Sequence, residues 1–385
     1  MSKPRVLIFV DYYLPGFKAG GPIASVSRMV KQLFEEFDLW IFTRDRDLGD
    51  ASAYDGIHSN QWQSLNDSKV YYGSAESLTA RHIEQLVREV DPDVIYLNSY
   101  FSVLSRRVFQ LRKLGRIRRA KIALAPRGEF SEGALALKRY KKRAYLSLDH
   151  SLGLSKGIVW HVSTEHEARD VIRFMGLHAK TIVEAPDLLD LHNSQAPAYI
   201  DKSAGSARFC WISRISPKKN LAWSIEILKE LKGKVEFSIF GPIEDLSYWQ
   251  GCQAAIEAMP GNIHVHYEGA IPPDAVCARL SESHFFLFPT LGENFGHVIP
   301  EALAAGCPVL LSDQTPWLDL ERHHAGWVTS LHDRERWIQL LQLCIDMDDD
   351  EFQQMRNSTG QYLNNKRAAQ KHAGNSRVFS EALSQ

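Results

Sequence analysis

Apolar residues in this chain come in short continuous runs, separated by stretches in which they recur every three or four positions. "RVLIFV" opens the series and the glycine-led pattern "GGPIASVSRMVKQLFEEF" follows it. "LWIFTRD" gives a second run, "ESLTARHIEQLVREVDPDVIYLN" a helical pattern and a third run, "KIALAPRGEF" a fourth, and "GIVWHVST" restarts the alternation. Apolar runs of about four to eight residues bounded by turn signals read as strands buried on both faces, the mark of a parallel sheet covered by helices. Strands alternating with helices predict a doubly wound, Rossmann-like α/β domain. From about Ser194 to Ala207 the text turns polar and helix-poor, "SQAPAYIDKSAGSA", and reads as a linker. A second series then begins with "RFCWISR" and continues through the helix "LAWSIEILKELKG" to "VEFSIFGP", "IHVHYEG", "HFFLFPT" and "CPVLLSD". The pattern therefore predicts two α/β domains, 1–195 and 196–365, with 366–385 as a last helix free to cross back to the first domain.

The stretch "FPTLGENFGHVIPEALAAGCPVLLSD", Phe288 to Asp313, sets two glutamates eight apart, Glu293 and Glu301. Val298, Ala302, Leu303 and Ala305 recur at helical spacing, and Gly306, Cys307 and Pro308 form a helix stop. The unit is strand, loop, helix, strand, with Glu293 in the loop and Glu301 in the first turns of the helix. In parallel sheets ligands bind beyond the carboxyl ends of the strands, so both carboxylates are expected to face one crevice. Gly296 beside the helix start lets a backbone approach a ligand, and free N–H groups there attract an anion.

Composition narrows the picture. A chain of 385 residues is too long for one ordinary core and suits two domains of roughly 150 to 200 residues. Hydrophobic residues at 44% and charged residues at 24% are those of a water-soluble globular protein. No apolar run reaches the roughly 20 residues of a membrane span, and "MSKPRVLIFVDYYLP" reads as a first strand rather than a signal peptide, so a cytoplasmic location is expected. The five cysteines (Cys210, Cys252, Cys277, Cys307, Cys344) are scattered and form no C-x-x-C pair, which indicates free thiols and no zinc site. Charge is uneven: residues 1–195 hold 28 Lys and Arg against 23 Asp and Glu, the remainder 17 against 23. Between Arg106 and Arg143 stand 14 basic residues and two acids, Glu129 and Glu132. Such a run is either the solvated faces of two helices or a surface for anionic lipid or a lipid-diphosphate acceptor, with Tyr140, Tyr145, Leu146 and Leu148 as interfacial apolar groups. It lacks a nucleic-acid-binding motif, and no nucleic-acid partner is expected.

The first strand of the second series runs into "ISRISPKKNL", where Arg214 and Lys219 lie five residues apart on a loop that opens a helix. A planar guanidinium fork and a mobile ammonium suit a diphosphate. "SRISPKKNL", "IFGP", "HVHYEGAIPPD" and "FFLFPTLGENFGHVIPEALAAGCPVLLSD", in this order and spacing over roughly Ala207 to Val328, resemble the carboxyl-terminal domain of the retaining glycosyltransferases of family 4. That family has the GT-B fold, two Rossmann-like domains facing an interdomain cleft, and a Glu-x7-Glu signature. In the first domain "KAGGPIASVSRMVKQL" and "APRGEFSEGALALKRYKKR" are similar to the family as well, though less specifically.

The resemblance implies an amino-terminal acceptor-binding domain, a carboxyl-terminal donor-binding domain, and roles for individual residues. Arg214 and Lys219 would neutralise the departing diphosphate, and Glu293 would meet the donor sugar. Asn294, Phe295, Gly296 and His297 would line the donor, and Glu301 would accept hydrogen bonds from its ribose hydroxyls. Gly20 and Gly21 would let a first-domain loop close over the phosphates and the acceptor. The implied reaction is a metal-independent, retaining transfer of hexosyltransferase type from a UDP- or GDP-sugar, a co-substrate rather than a cofactor, to a glycan or lipid-diphosphate-linked acceptor. Surface polysaccharide assembly is the implied setting; peripheral membrane contact through residues 106–143 is read from the basic run alone, with solvated helix faces as its alternative. Two features depart from the family pattern. Arg127 and Gly128 stand where many relatives have histidine and glycine, which leaves Arg127 to contact sugar, phosphate or acceptor, and "VEAPDLLDLH" replaces a Pro-Asn-Gly turn.

Three rival readings have features of their own. Two carboxylates in one crevice suit a glycoside hydrolase, but a neutral glycoside gives Arg214 and Lys219 no phosphate to hold. "TRDRDLG" contains Asp45-x-Asp47, a spacing by which another transferase fold binds a divalent ion, though a polar loop carries the same three residues by chance. A non-catalytic subunit would bind nucleotide sugar without turnover.

Overall fold

The computed structural model describes residues 3–136, 139–187, 199–370 and 374–385. By its internal packing the chain divides into two units, residues 1–188 with 372–385 and residues 189–371. The expected domain boundary at 195 and 196, the first part of the expected linker and Lys138 of the basic run lie outside the described residues.

Unit 1 is built on β1 (Arg5–Phe9), β2 (Asp38–Arg44), β3 (Trp62–Leu65), β4 (Ser68–Gly73), β5 (Val94–Asn98), β6 (Lys121–Ala125), β7 (Val159–Val162) and β8 (Thr181–Glu184). They join in the order β3-β4-β2-β1-β5-β6-β7-β8. Every pairing is parallel except β3 with β4. β5 is buried along its whole length and β1 after its first residue, because helices cover both faces. The helices Gly21–Leu33, Ala80–Val90 and Val103–Lys113 each turn an apolar stripe inward, and Thr79 and Ser102 cap the last two by accepting from His82 N and Leu104 N. The helix Ser376–Ser384 returns to this unit and sinks Val378, Phe379 and Ala382 into its core. Phe379 meets Phe37 and Tyr96 edge-on.

Unit 2 contains β9 (Ser206–Ile212), β10 (Lys234–Phe240), β11 (Ile263–Tyr267), β12 (Phe285–Phe288), β13 (Val309–Ser312) and β14 (Gly326–Thr329), all parallel, in the order β11-β10-β9-β12-β13-β14. The chain winds outward from β9 to β11 and then returns to lay β12 beside β9. Between β9 and β12 the winding reverses, and at such a reversal the loops from the two strands part to leave a crevice. In unit 1 the same reversal falls between β1 and β5.

The hairpin β3–β4 was not among the sequence-read strands. Its four-residue first strand is joined through Asn66, whose φ of 48° makes the turn, and its pattern is too short to separate from a loop. The basic run is divided by the fold. The helix Val103–Lys113 runs back along the sheet for about 16 Å, so Arg106 and Arg107 stand near its start at the carboxyl edge of the strands. Arg116, Arg118 and Arg119 lie at the opposite edge, around a cavity of about 620 Å³ that Arg88 and Asp91 also line. There Glu84 pairs with Arg88 and Arg116, Asp91 with Arg119, and Arg118 caps the carbonyl of Gly115. On the helix Arg139–Leu152 only part of the expected apolar set faces outward. Tyr140 is 87% and Leu148 49% exposed, whereas Leu146 belongs to the core and Tyr145 packs against Tyr100. No described helix is long and apolar enough to cross a membrane.

Candidate functional site

Two loops leave the reversal in unit 2, residues 213–220 after β9 and 289–297 after β12. Backbone and side-chain bonds stitch them together: Leu291 N donates to Lys218 O at 2.9 Å, Thr290 Oγ1 to the same oxygen at 3.2 Å, and Asn220 Nδ2 to Pro289 O at 2.9 Å. This brings Lys219 Nζ to 2.5 Å from Glu293 Oε1, with both side chains largely buried. The one Thr290 hydroxyl proton is shared between Lys218 O and this carboxylate oxygen, 3.1 Å from Thr290 Oγ1, and Glu293 N is fixed by Gln314 O at 2.9 Å. Burial alone would raise the Glu293 pKa. The Lys219 and Lys218 charges and the bonds from Lys219 and Thr290 outweigh it and hold the carboxyl below the ordinary glutamate value. The group is an anion throughout the neutral range, held against a cation whose other N–H donors face no protein acceptor among the described residues.

Arg214, on the same loop as Lys219, reaches sideways to the loop after β10, where its Nη1 lies 2.9 Å from Glu244 Oε1. Both side chains are about one-third exposed, at 32% and 38%. Gly296 has φ 75°, and a Cβ there would fall 2.7 Å from Ile299 Cδ1, so the loop closes tightly only with glycine. Phe295 is pinned through its carbonyl, which accepts from Trp317 Nε1 at 2.7 Å, and its ring packs against Trp317 and His297. Asn294, His297 and Glu301 are half-buried, with Glu301 in the helix Val298–Ala304. The Glu301 carboxylate, after burial, helps to raise the pKa of the nearby Cys277 thiol. Glu244 and Gln314 escape sequence reading, since they lie on the loops after β10 and β13 and only the stacking of parallel strands brings them to the motif residues; Thr290 stands in the motif's own loop, where no pattern marks its hydroxyl.

In unit 1 the carboxyl edge has another character. Gly20 takes φ 67° and ψ −123° just before the helix Gly21–Leu33, a backbone region open to glycine. The loop before it is bonded to Asp47: Phe17 N and Lys18 N donate to Oδ2 at 2.7 and 3.0 Å, and Leu48 N to Oδ1 at 2.8 Å. Asp45 is likewise occupied, accepting from Arg46 Nε at 2.9 Å and Ser59 Oγ at 2.9 Å. The Asp-x-Asp spacing thus serves the loops, and among the described residues no group of three His, Cys, Asp or Glu stands together as metal ligands.

Arg127 is buried and joins an internal chain of bonds. Its Nε donates to Asn98 Oδ1 at 2.8 Å, Nη1 to Asp187 Oδ1 at 2.8 Å and Nη2 to the Tyr96 hydroxyl at 3.1 Å. His161 Nε2 lies 2.8 Å from the Ala185 carbonyl and must carry its proton, so Nδ1 accepts from the Tyr96 hydroxyl at 2.8 Å. Burial, aided by the Arg127 charge, depresses the His161 pKa to about 4, and the ring is neutral. Beside it Glu167 accepts from Gly128 N at 2.6 Å and Ser163 N at 2.8 Å, and burial pushes its pKa up to about 7. Arg127, expected to contact sugar, phosphate or acceptor, has these three donors committed to partners within its own unit.

Residues 198–364 match the family described as glycosyl transferases group 1. No curated protein matches the chain. Among solved structures, an α,α-trehalose-phosphate synthase (UDP-forming) from Burkholderia xenovorans, in complex with glucose-6-phosphate, is similar at TM-score 0.70 and 12% identity, covering 98% of this chain and 99% of that one. Sucrose-phosphate synthase from Thermosynechococcus elongatus follows at TM-score 0.67 and 14% identity, covering 95% and 100%. Anabaena HepE, in complex with UDP and glucose, gives TM-score 0.68 and 13% identity, with 99% of each chain covered. The two-domain α/β fold with parallel sheets is that of the GT-B glycosyltransferases, and the hydrolase reading is set aside by the transferase domain.

Proposed function

We propose that this chain, a glycosyltransferase whose residues 198–364 form a glycosyl transferases group 1 domain, moves a sugar with retention from a nucleotide-diphosphate sugar to a glycan or lipid-diphosphate-linked acceptor. The observation that carries the reading is the Lys219–Glu293 pair at the β9–β12 reversal. In such a transfer the bond from the anomeric carbon to the diphosphate oxygen breaks, and the acceptor oxygen bonds to that carbon. The acceptor proton passes to the departing phosphate. Negative charge grows on the leaving oxygen, and a fixed ammonium with unspent donors stabilises it without reorganisation. Glu293 holds Lys219 in a fixed orientation and is the anion available to a donor-sugar hydroxyl. Arg214 adds a second cation, and residues 294–297 with Glu301 take the nucleoside side, Glu301 as acceptor for the ribose hydroxyls.

A UDP-sugar is the favoured donor, since a trehalose-phosphate synthase of this fold is described as UDP-forming and HepE is held with UDP and glucose. The reaction needs no metal in this scheme, because the two cations do a metal's work. The outward face of the helix Arg139–Leu152, with Arg139, Lys141 and Arg143 around the exposed Tyr140 and Leu148, suits peripheral contact with an anionic membrane carrying a lipid-linked acceptor for surface polysaccharide assembly. Flotation with anionic vesicles at low salt tests that contact, and no recovery with the vesicles ends it.

The central test screens UDP-, GDP- and ADP-sugars for thermal stabilisation and then for transfer, since a bound donor raises apparent stability according to its affinity. Stabilisation by a UDP-sugar is expected, with Glu301→Ala raising donor KM more than it lowers kcat. Absence of stabilisation by any nucleotide sugar would end the reading.

A further inference from the structure

The Asp-x-Asp pair is the one sequence motif that the transfer reaction leaves without a task. Asp47 is 4% exposed, follows β2, and spends its carboxylate on amides of the neighbouring loop. That loop leaves β1 at the unit 1 reversal and ends in Gly20 and Gly21. A carboxylate that accepts two amides on one oxygen and a third on the other cannot be copied by a neutral side chain. An asparagine would turn its own N–H groups toward at least one of those donors. Bonds to an ionised acceptor are also roughly twice as strong as neutral ones.

The rest of the loop is fastened around the same point. Gly16 lies so close that a Cβ would fall 2.1 Å from the Tyr54 hydroxyl and 3.0 Å from Asp47 Cγ. Tyr72 donates its hydroxyl to Leu14 O at 2.7 Å, and Lys18 Nζ lies 2.5 Å from Asp50 Oδ1. Residues 14–18 are therefore tied down, while Gly20 stays exposed with nothing within 4 Å of where its Cβ would be. A rigid base under an open glycine tip is the arrangement that lets a backbone be presented to a ligand at a fixed position.

We infer that Asp47 is a positioning residue for the transfer, acting through the amides of Phe17 and Lys18 to fix the Gly20–Gly21 tip at the carboxyl edge of unit 1. The inference rests on the proposed function, because the position of the tip bears on turnover only if the chain transfers a sugar. Asp47 itself touches no substrate.

Asp47→Asn and Asp47→Glu should each lower kcat/KM by about tenfold or more. Amide hydrogen exchange in residues 16–21 should accelerate in both variants while the β5 and β6 amides keep their protection, which a general loss of stability would not do. Unchanged kinetics in both variants, or exchange that quickens across all of unit 1 in step with a lowered Tm, overturns the inference. Lys219→Met serves as the control. If it leaves turnover intact the proposed function fails and this inference with it. If it abolishes turnover while the Asp47 variants behave as wild type, only the inference fails.

Discussion

The carboxyl edges of the two sheets differ in what their acids hold. Along sheet 1, buried acids accept backbone amides from the loop of an adjacent strand: Asp47 after β2 holds the loop after β1, Glu129 after β6 holds Tyr100 N at 2.6 Å and Phe101 N at 3.2 Å after β5, and Glu167 holds Gly128 N after β6. Along sheet 2 the loops are joined by bonds to backbone carbonyls and, beside these, by two cross-loop ion pairs, Lys219 with Glu293 and Arg214 with Glu244. The first arrangement fixes backbone and leaves little charge to offer a ligand. The second keeps charge at the loop tips, where a diphosphate can compete for it. One edge is built to hold shape, the other to exchange partners.

The widest separation between the two edges should come from Arg127→Met. Removing one member of a largely buried ion pair should cost about 3–5 kcal/mol of stability, read from urea unfolding. Loss of transfer with stability intact would instead give Arg127 a direct task on the substrate. Next comes Lys219→Met, which should lower kcat by about 10²- to 10³-fold, some 2.7–4 kcal/mol of transition-state stabilisation, at nearly unchanged Tm.

A third prediction concerns pH. His161 has its folded pKa near 4, below its unfolded value, so its contribution is full above pH 6.5 and is lost as pH falls toward 4. Glu167 has its folded pKa near 7, above its unfolded value, so its contribution is full near pH 4.5 and is lost as pH rises toward 7. Each shift corresponds to about 3 kcal/mol and the two oppose, so wild-type stability should be nearly flat over this window. Urea midpoints of His161→Phe should fall as pH rises from 4.5 to 7, and those of Glu167→Gln should rise from 4 to 6.5. A flat profile in both variants would break the assignment of charge states at this edge. The smallest effect belongs to Glu244→Gln, under about 1 kcal/mol, because its pair with Arg214 is partly open to water.

The same contrast explains what the sequence could disclose. Arg214, Lys219, Glu293 and Gly296 lie on loops whose ends are buried strands such as β9 and β12, so short-range pattern fixed both their element and their edge. The parallel α/β fold was legible for that reason. The short strand β3 was not, since its four residues alternate weakly and two of them carry polar amide or hydroxyl groups. Nor was the duty of Asp47, whose partners are backbone amides about thirty positions away and leave no trace in side-chain spacing. Arg127 was singled out by its departure from a family pattern, yet its three recorded hydrogen-bond acceptors, Tyr96, Asn98 and Asp187, have no motif to announce them.

The helix Ser376–Ser384 completes the core of unit 1 although the whole of unit 2 precedes it in the chain. During synthesis, then, the earlier-made sheet waits with an uncovered apolar face while the later one has every strand it needs and can fold first. Removing residues 374–385 should damage the part of the protein most distant in sequence from the cut, and a chain released before Ser376 would carry a finished second half and an unfinished first.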